Sequence, residues 1–167
     1  MYWLIAIPFA VQALVIGFDE YYFHIKRGLP KWERIGHPID TLTLVACLLF
    51  VLFVPCTAGA IKVYICLGVF SCLMVTKDEW IHKHHCPPAE HWIHALLFIN
   101  HPIILTSVGL IWWVTTGQGA PTWMASWLHH TANLHAMLVL QTGAVILFFL
   151  YQVIYWNILW KGEVQSQ

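Results

Sequence analysis

Five apolar runs divide the chain and confine its charges to the gaps between them: Tyr2 to Phe18, Leu42 to Val54, Ala60 to Val75, Ala95 to Val114 and Leu134 to Trp160. A helix needs about 20 apolar residues to cross roughly 30 Å of hydrocarbon, and backbone in lipid must satisfy its own hydrogen bonds. The pattern therefore predicts an all-α integral membrane protein of about five transmembrane helices, a single domain over residues 1–167. Composition agrees, with 59% hydrophobic residues, 10% charged residues and a mean hydropathy of +0.68. A soluble domain carries about a quarter charged residues. Net charge is zero and no basic tract is long enough to follow a phosphate backbone, which excludes nucleic acid as a partner. Cysteines show no CxxC spacing, so no disulfide framework is indicated. The first run follows the initial Met without a basic stretch or a small-residue cleavage site, and reads as a retained helix rather than a signal peptide.

Between the third and fourth runs lies DEWIHKHHCPPAEHWIH, Asp78 to His94, with three carboxylates, five histidines and Cys86. Glu79 and His82 are three apart and Glu90 and His94 four apart, spacings that bring side chains together on one helical face. Pro87-Pro88 ends the first helix and suits the first turn of the second, making a helical hairpin with ligands on both arms. A similar order occurs earlier, where Asp19-Glu20 and His24 are followed by Pro30, Glu33 and His37. It reads as an internal repeat, repeat one about 2–57 and repeat two about 60–114, followed by an interfacial piece and a last span over 121–160.

The candidate metal ligands are Glu20, His24, Glu33, His37, Glu79, His82, Glu90 and His94. Asp40 is the counterpart of His101, each continuing a ligand stripe one step deeper. His91 is a ligand or a hydrogen-bonding support for one. Asp19 and Asp78 read as supporting groups or helix-end charges, and Cys86 is left open. Imidazole with carboxylate suits iron, manganese or zinc, and eight such ligands suffice for two metal ions sharing carboxylates. The bland alternative is a solvated patch in which acids pair with Lys and Arg.

An odd number of spans puts both hairpins and the C-terminus on one side, with Lys26, Arg27, Lys31, Arg34, Lys77, Lys83 and Lys161, seven of the eight basic residues. The positive-inside rule makes that side cytoplasmic and the N-terminus external, in a bacterial-type inner membrane or another cellular membrane. His129, His130 and His135 then lie at the other side, as a separate site or as interfacial groups.

His82-Lys-His84-His85 with Glu90-His91-Trp-Ile-His94 resembles the histidine boxes of membrane fatty-acid hydroxylases and desaturases, and Glu79-Trp-Ile-His82 looks like the Glu-x-x-His element of ferritin-like di-iron proteins. The resemblance covers about forty residues of the 167 and implies a carboxylate-rich di-iron centre. The expected function is O2-dependent oxidation of a lipid or other apolar molecule, with membrane lipid and an electron donor as partners. A metal-ion carrier or sensor and a zinc-dependent membrane hydrolase are the alternatives; haem ligation would require His101 and His135 to meet inside the bundle.

Overall fold

The computed structural model describes residues 2–77, 86–116, 121–127 and 131–162, and among them every regular element is helical. A short 3-10 turn, Tyr2–Ala6, leads into α1 (Ile7–Asp19), with Pro8 in the first turn, where no backbone N–H is needed. The helix continues through a wide π turn, Glu20–His24, and one further turn, Ile25–Arg27. It stops at Gly28, whose φ of 76° and ψ of 150° only glycine adopts without strain.

From Pro30 the chain enters α2 (Lys31–Phe53), which runs through Pro38 without breaking. Pro38 has no N–H for the carbonyl of Arg34 four residues back. Asn157 Nδ2 donates to that oxygen at 3.0 Å instead. Next come α3 (Ala58–Met74), capped by the Thr57 hydroxyl accepting from the Ala60 N–H, and α4 (Pro88–Thr116), continuous across His101-Pro102. A short α5 (Thr122–Trp127) precedes α6 (Thr131–Ile154), which ends in a second π turn, Tyr155–Leu159.

Four helical stretches are long and apolar enough to cross a membrane, Trp3–Arg27, Lys31–Phe53, Pro88–Thr116 and Ala132–Leu159, with Ala58–Met74 a shorter apolar helix. The five expected runs are all helical, but the third falls short of full span length. In packing, α2 lies against α3 and α6, α1 against α4, and α4 against α6. Their shared core holds Cys47, Leu48, Val108, Ile111, Trp112 and Leu138, all buried. Tyr64 on α3 donates its hydroxyl to the Leu105 carbonyl of α4 at 2.6 Å. A Cβ on Gly109 would stand 3.0 Å from the Tyr64 ring, so glycine there is what permits the approach. Outward, Leu14, Phe53, Leu73, Leu140 and Leu147 are mostly exposed, an apolar exterior of the kind hydrocarbon covers.

Candidate metal centre

The end of α1 and the start of α4 bring Asp19, His24, Glu90 and His94 together, each with a ligand-capable atom within 4.8 Å of the others and all four buried. His24 Nε2 lies 3.2 Å from Asp19 Oδ2 and 3.6 Å from Glu90 Oε1, and His94 Nε2 lies 3.5 Å from the same Asp19 oxygen. Asp19 Oδ1, His24 Nε2 and Glu90 Oε2 are sealed from solvent yet make no hydrogen bond among the described residues. A buried polar atom without a partner costs about 1–3 kcal/mol, more when charged. Two such atoms, Asp19 Oδ1 and Glu90 Oε2, stand beside a His24 Nε2 whose neighbours are carboxylate oxygens, a set that a cation would satisfy.

The π turn explains how Asp19 enters the group. On an α-helix, residues five apart point about 140° away from each other. The i→i+5 bond from the Ile25 N–H to the Glu20 carbonyl widens the turn and returns His24 to the side of Asp19. Single π turns of this kind recur at functional sites.

Glu20 takes a supporting position. Its Oε2 accepts from His24 Nδ1 at 2.9 Å, while Oε1 accepts from the Tyr151 hydroxyl at 2.6 Å and from Trp156 Nε1 at 2.7 Å. A carboxylate on one imidazole nitrogen fixes the ring and leaves the other nitrogen free to bind a metal. The arrangement turns Nε2 of His24 toward Asp19 and Glu90.

Two further groups overlap the first: His24, Glu33 and His37, and Glu33, Cys86 and Glu90. The rings of His24 and His37 stack at 5.1 Å. Between Glu33 and Glu90 sits a residue that spacing did not single out, Arg27. Its Nη2 donates to Glu90 Oε1 at 2.8 Å and to Glu33 at 3.1 and 3.2 Å, all three side chains buried. The Cys86 thiol donates to Glu33 Oε1 at 3.5 Å. Burial, with the Glu33 and Glu90 carboxylates beside it, pushes the Cys86 thiol well above the usual range.

Of the expected ligands, His24, Glu33, His37, Glu90 and His94 are thus brought together, with Glu20 in hydrogen-bond contact behind them. Asp40 differs from expectation: it pairs with Lys77 Nζ at 2.6 Å and belongs to none of the ligand-capable groups among the described residues. α2 does continue through Pro38, as the stripe required, but Lys77, just past the end of α3, takes up the Asp40 carboxylate. His91 is half-buried and also outside those groups. Glu79 and His82, like Asp78, His84, His85, His129 and His130, lie outside the described residues. His101 is buried and bonded to Ser71 while His135 is exposed on α6, which removes the haem arrangement.

Below the cluster, between α1, α2, α4 and α6, lies a cavity of about 320 Å³. Asp19, His24 and His94 line one end, and Leu97, Phe98 and Phe148 are among its apolar walls. Buried His, Glu and Asp groups able to hold a metal ion therefore lie at a mostly apolar cavity between the helices, with Asp19, His24 and His94 in its lining. No protein-family model, no curated protein and no solved structure matches the chain, so the chemistry of these residues is the guide to their role.

Proposed function

We propose that this chain is an integral membrane metalloenzyme that uses O2, with two electrons from an external donor, to oxidise an apolar, membrane-dissolved molecule held in the cavity. The observation that carries the reading is the buried group of Asp19, His24, Glu90 and His94, whose ligand-capable atoms lie within 4.8 Å of one another and of which Asp19, His24 and His94 line that cavity. Two imidazoles with carboxylate oxygens are the donor set of non-haem iron sites, which keep positions open for O2 and substrate. Iron is therefore the proposed metal. Bound there it would supply O2 activation; Glu20 orients His24, the cavity walls exclude water, and Arg27 offsets the charge of Glu33 and Glu90.

One ion is proposed rather than two. His24 is common to two of the ligand-capable groups, and with Nδ1 donated to Glu20 it has a single lone pair to give. The remaining group, Glu33, Cys86 and Glu90, already holds the Arg27 guanidinium between its two carboxylates, which opposes a second ion there. Five spans, with the cluster at the cytoplasmic end and the N-terminus outside, complete the proposal.

The test is elemental analysis of the detergent-purified protein beside His24→Ala and Glu90→Ala, with O2 consumption measured on the iron-loaded form supplied with a chemical reductant. One iron per chain, lost in both variants while helicity is kept, with O2 uptake stimulated by membrane lipid extract, is the expected result. One zinc and no O2 uptake would replace the oxygenase with the hydrolase. No metal in a folded wild type would end the metal reading altogether.

A metal-ion carrier is the second reading, favoured by the polar side chains Gln12, Asn100, Ser71 and His101 deeper in the bundle. A divalent ion in transit needs carboxylates along its way, and the one described carboxylate on the spans deeper than the cluster, Asp40, is paired with Lys77. Metal uptake into proteoliposomes separates the two.

A further inference from the structure

Two helical turns beyond the candidate ligands, the same two helices carry a second pair of polar groups. Gln12 precedes Asp19 on α1 by seven residues and His101 follows His94 on α4 by seven, in each case about 10 Å along the axis on the same face. Both line the cavity and both are buried. Their hydrogen bonds fix what each offers to a ligand.

Asn100 Nδ2 donates to the Pro8 carbonyl at 2.9 Å, an oxygen that can only accept, so this end of Asn100 is the amide nitrogen. The Gln12 atom 3.0 Å from the same nitrogen must then be its acceptor, Oε1. Nε2 of Gln12 remains a donor on the cavity wall. On the other side, the Thr43 hydroxyl donates to the Asp40 carbonyl at 2.8 Å, so Thr43 Oγ1 can only accept from Ser71, 2.8 Å away. Ser71 has then spent its one proton and must accept from His101 Nε2 at 2.9 Å. The neutral imidazole therefore carries its proton on Nε2 and presents Nδ1 as an acceptor. One donor and one acceptor, facing the same apolar chamber at the same depth, match a group that both accepts and donates.

We propose that the cavity binds an apolar alcohol, its hydroxyl accepting from Gln12 Nε2 and donating to His101 Nδ1. The rest of the molecule extends along the apolar walls toward Asp19 and His94. This rests on the cavity being the substrate chamber of the proposed enzyme and adds the class of substrate. The binding sets the position of attack: carbon about 10 Å from the hydroxyl is what meets the metal end, so Gln12 and His101 determine specificity without touching the reacting atoms.

Tritiated 1-dodecanol binding to the iron-loaded protein in detergent micelles, competed by unlabelled 1-dodecanol, dodecyl methyl ether and dodecane, tests this. The alcohol is expected to compete about tenfold better than the ether, which can only accept, with dodecane weaker still. Gln12→Met and His101→Phe are each expected to weaken dodecanol about tenfold and leave dodecane and the iron content unchanged. Equal competition by alcohol and alkane would overturn the alcohol assignment and leave an apolar substrate standing. Equal competition by alcohol and ether would overturn the role of His101. Absence of saturable binding with iron retained would remove the cavity as a substrate chamber as well.

Discussion

A guanidinium whose Nη2 reaches both Glu33 and Glu90 within 3.2 Å stands where a second metal ion would bridge those carboxylates. Arg27 is a permanent cation, and its removal leaves buried, uncompensated charge at a cost of about 3–5 kcal/mol. Arg27→Met is therefore expected to unfold at lower temperature when metal-free, and to recover with added iron as Glu33, Cys86 and Glu90 gain an ion. Metal content would rise from one to two per chain, read by elemental analysis beside thermal unfolding. Cys86 gives a second prediction at this scale. Its pKa is pushed up, so the thiolate fraction keeps growing at pH values where an ordinary thiol, near 8.5, has levelled off. Alkylation by iodoacetamide should be slow at pH 8 and still accelerating above pH 9, and Glu33→Gln should move the curve to lower pH. Among the candidate ligands, Glu90 with His94 and Glu33 with His37 were legible because four-residue spacing on an α-helix is a direct statement of proximity. Arg27 was not, because a basic residue at the end of an apolar run reads first as a topology signal. Its contact with Glu90 spans 63 positions in the chain.

Helix-scale structure followed from hydropathy and proline placement: the C-terminal ends of α2, α3 and α4 fall close to the ends of the apolar runs. Two features did not. Pro38 reads as a kink or a boundary, and what carries α2 past it is Asn157, more than a hundred residues away in sequence, on the Arg34 carbonyl. Asn157→Leu should cost about 1 kcal/mol through the orphaned carbonyl, seen as a lower unfolding temperature with metal content unchanged. The π turn is the other, since nothing in local propensity marks where an α-helix widens, and with it Asp19 moved from a helix-end charge to a member of the ligand group. A π turn is one residue more than an α turn accommodates. Tyr21, 69% exposed, is the residue to spare. Its deletion should return the turn to α geometry, put His24 four residues after Asp19 on the same face, and preserve iron binding and helicity. Loss of iron in a folded deletion variant would show that the width of the turn matters beyond register.

For the whole molecule, the positions of the charges matter more than their number. Net charge is zero over the chain, yet Asp19, Glu20, Glu33 and Glu90 gather at one end of the bundle with Arg27 as the fixed cation among them. Of the basic residues expected to set topology, Arg27 is paired within this cluster and Lys77 with Asp40. Excess carboxylate in a space walled by α1, α2, α4 and α6 opposes folding unless protons or a metal neutralise it. A metal ion that binds the folded cluster and not the unfolded chain stabilises by mass action, about 2.7 kcal/mol at a hundred times its Kd and about 1.4 kcal/mol for each further tenfold. Chelation at pH 7.5 should therefore lower the unfolding temperature, and titrating iron back should raise it in proportion to the logarithm of free metal. His24→Ala should abolish that slope, while Asp40→Asn, outside the ligand group, should keep it. An unfolding temperature indifferent to chelation in a protein that still contains iron would mean that the ion sits away from the folded cluster, and would return the Asp19, His24, Glu90 and His94 group to the status of a buried ion-pair network.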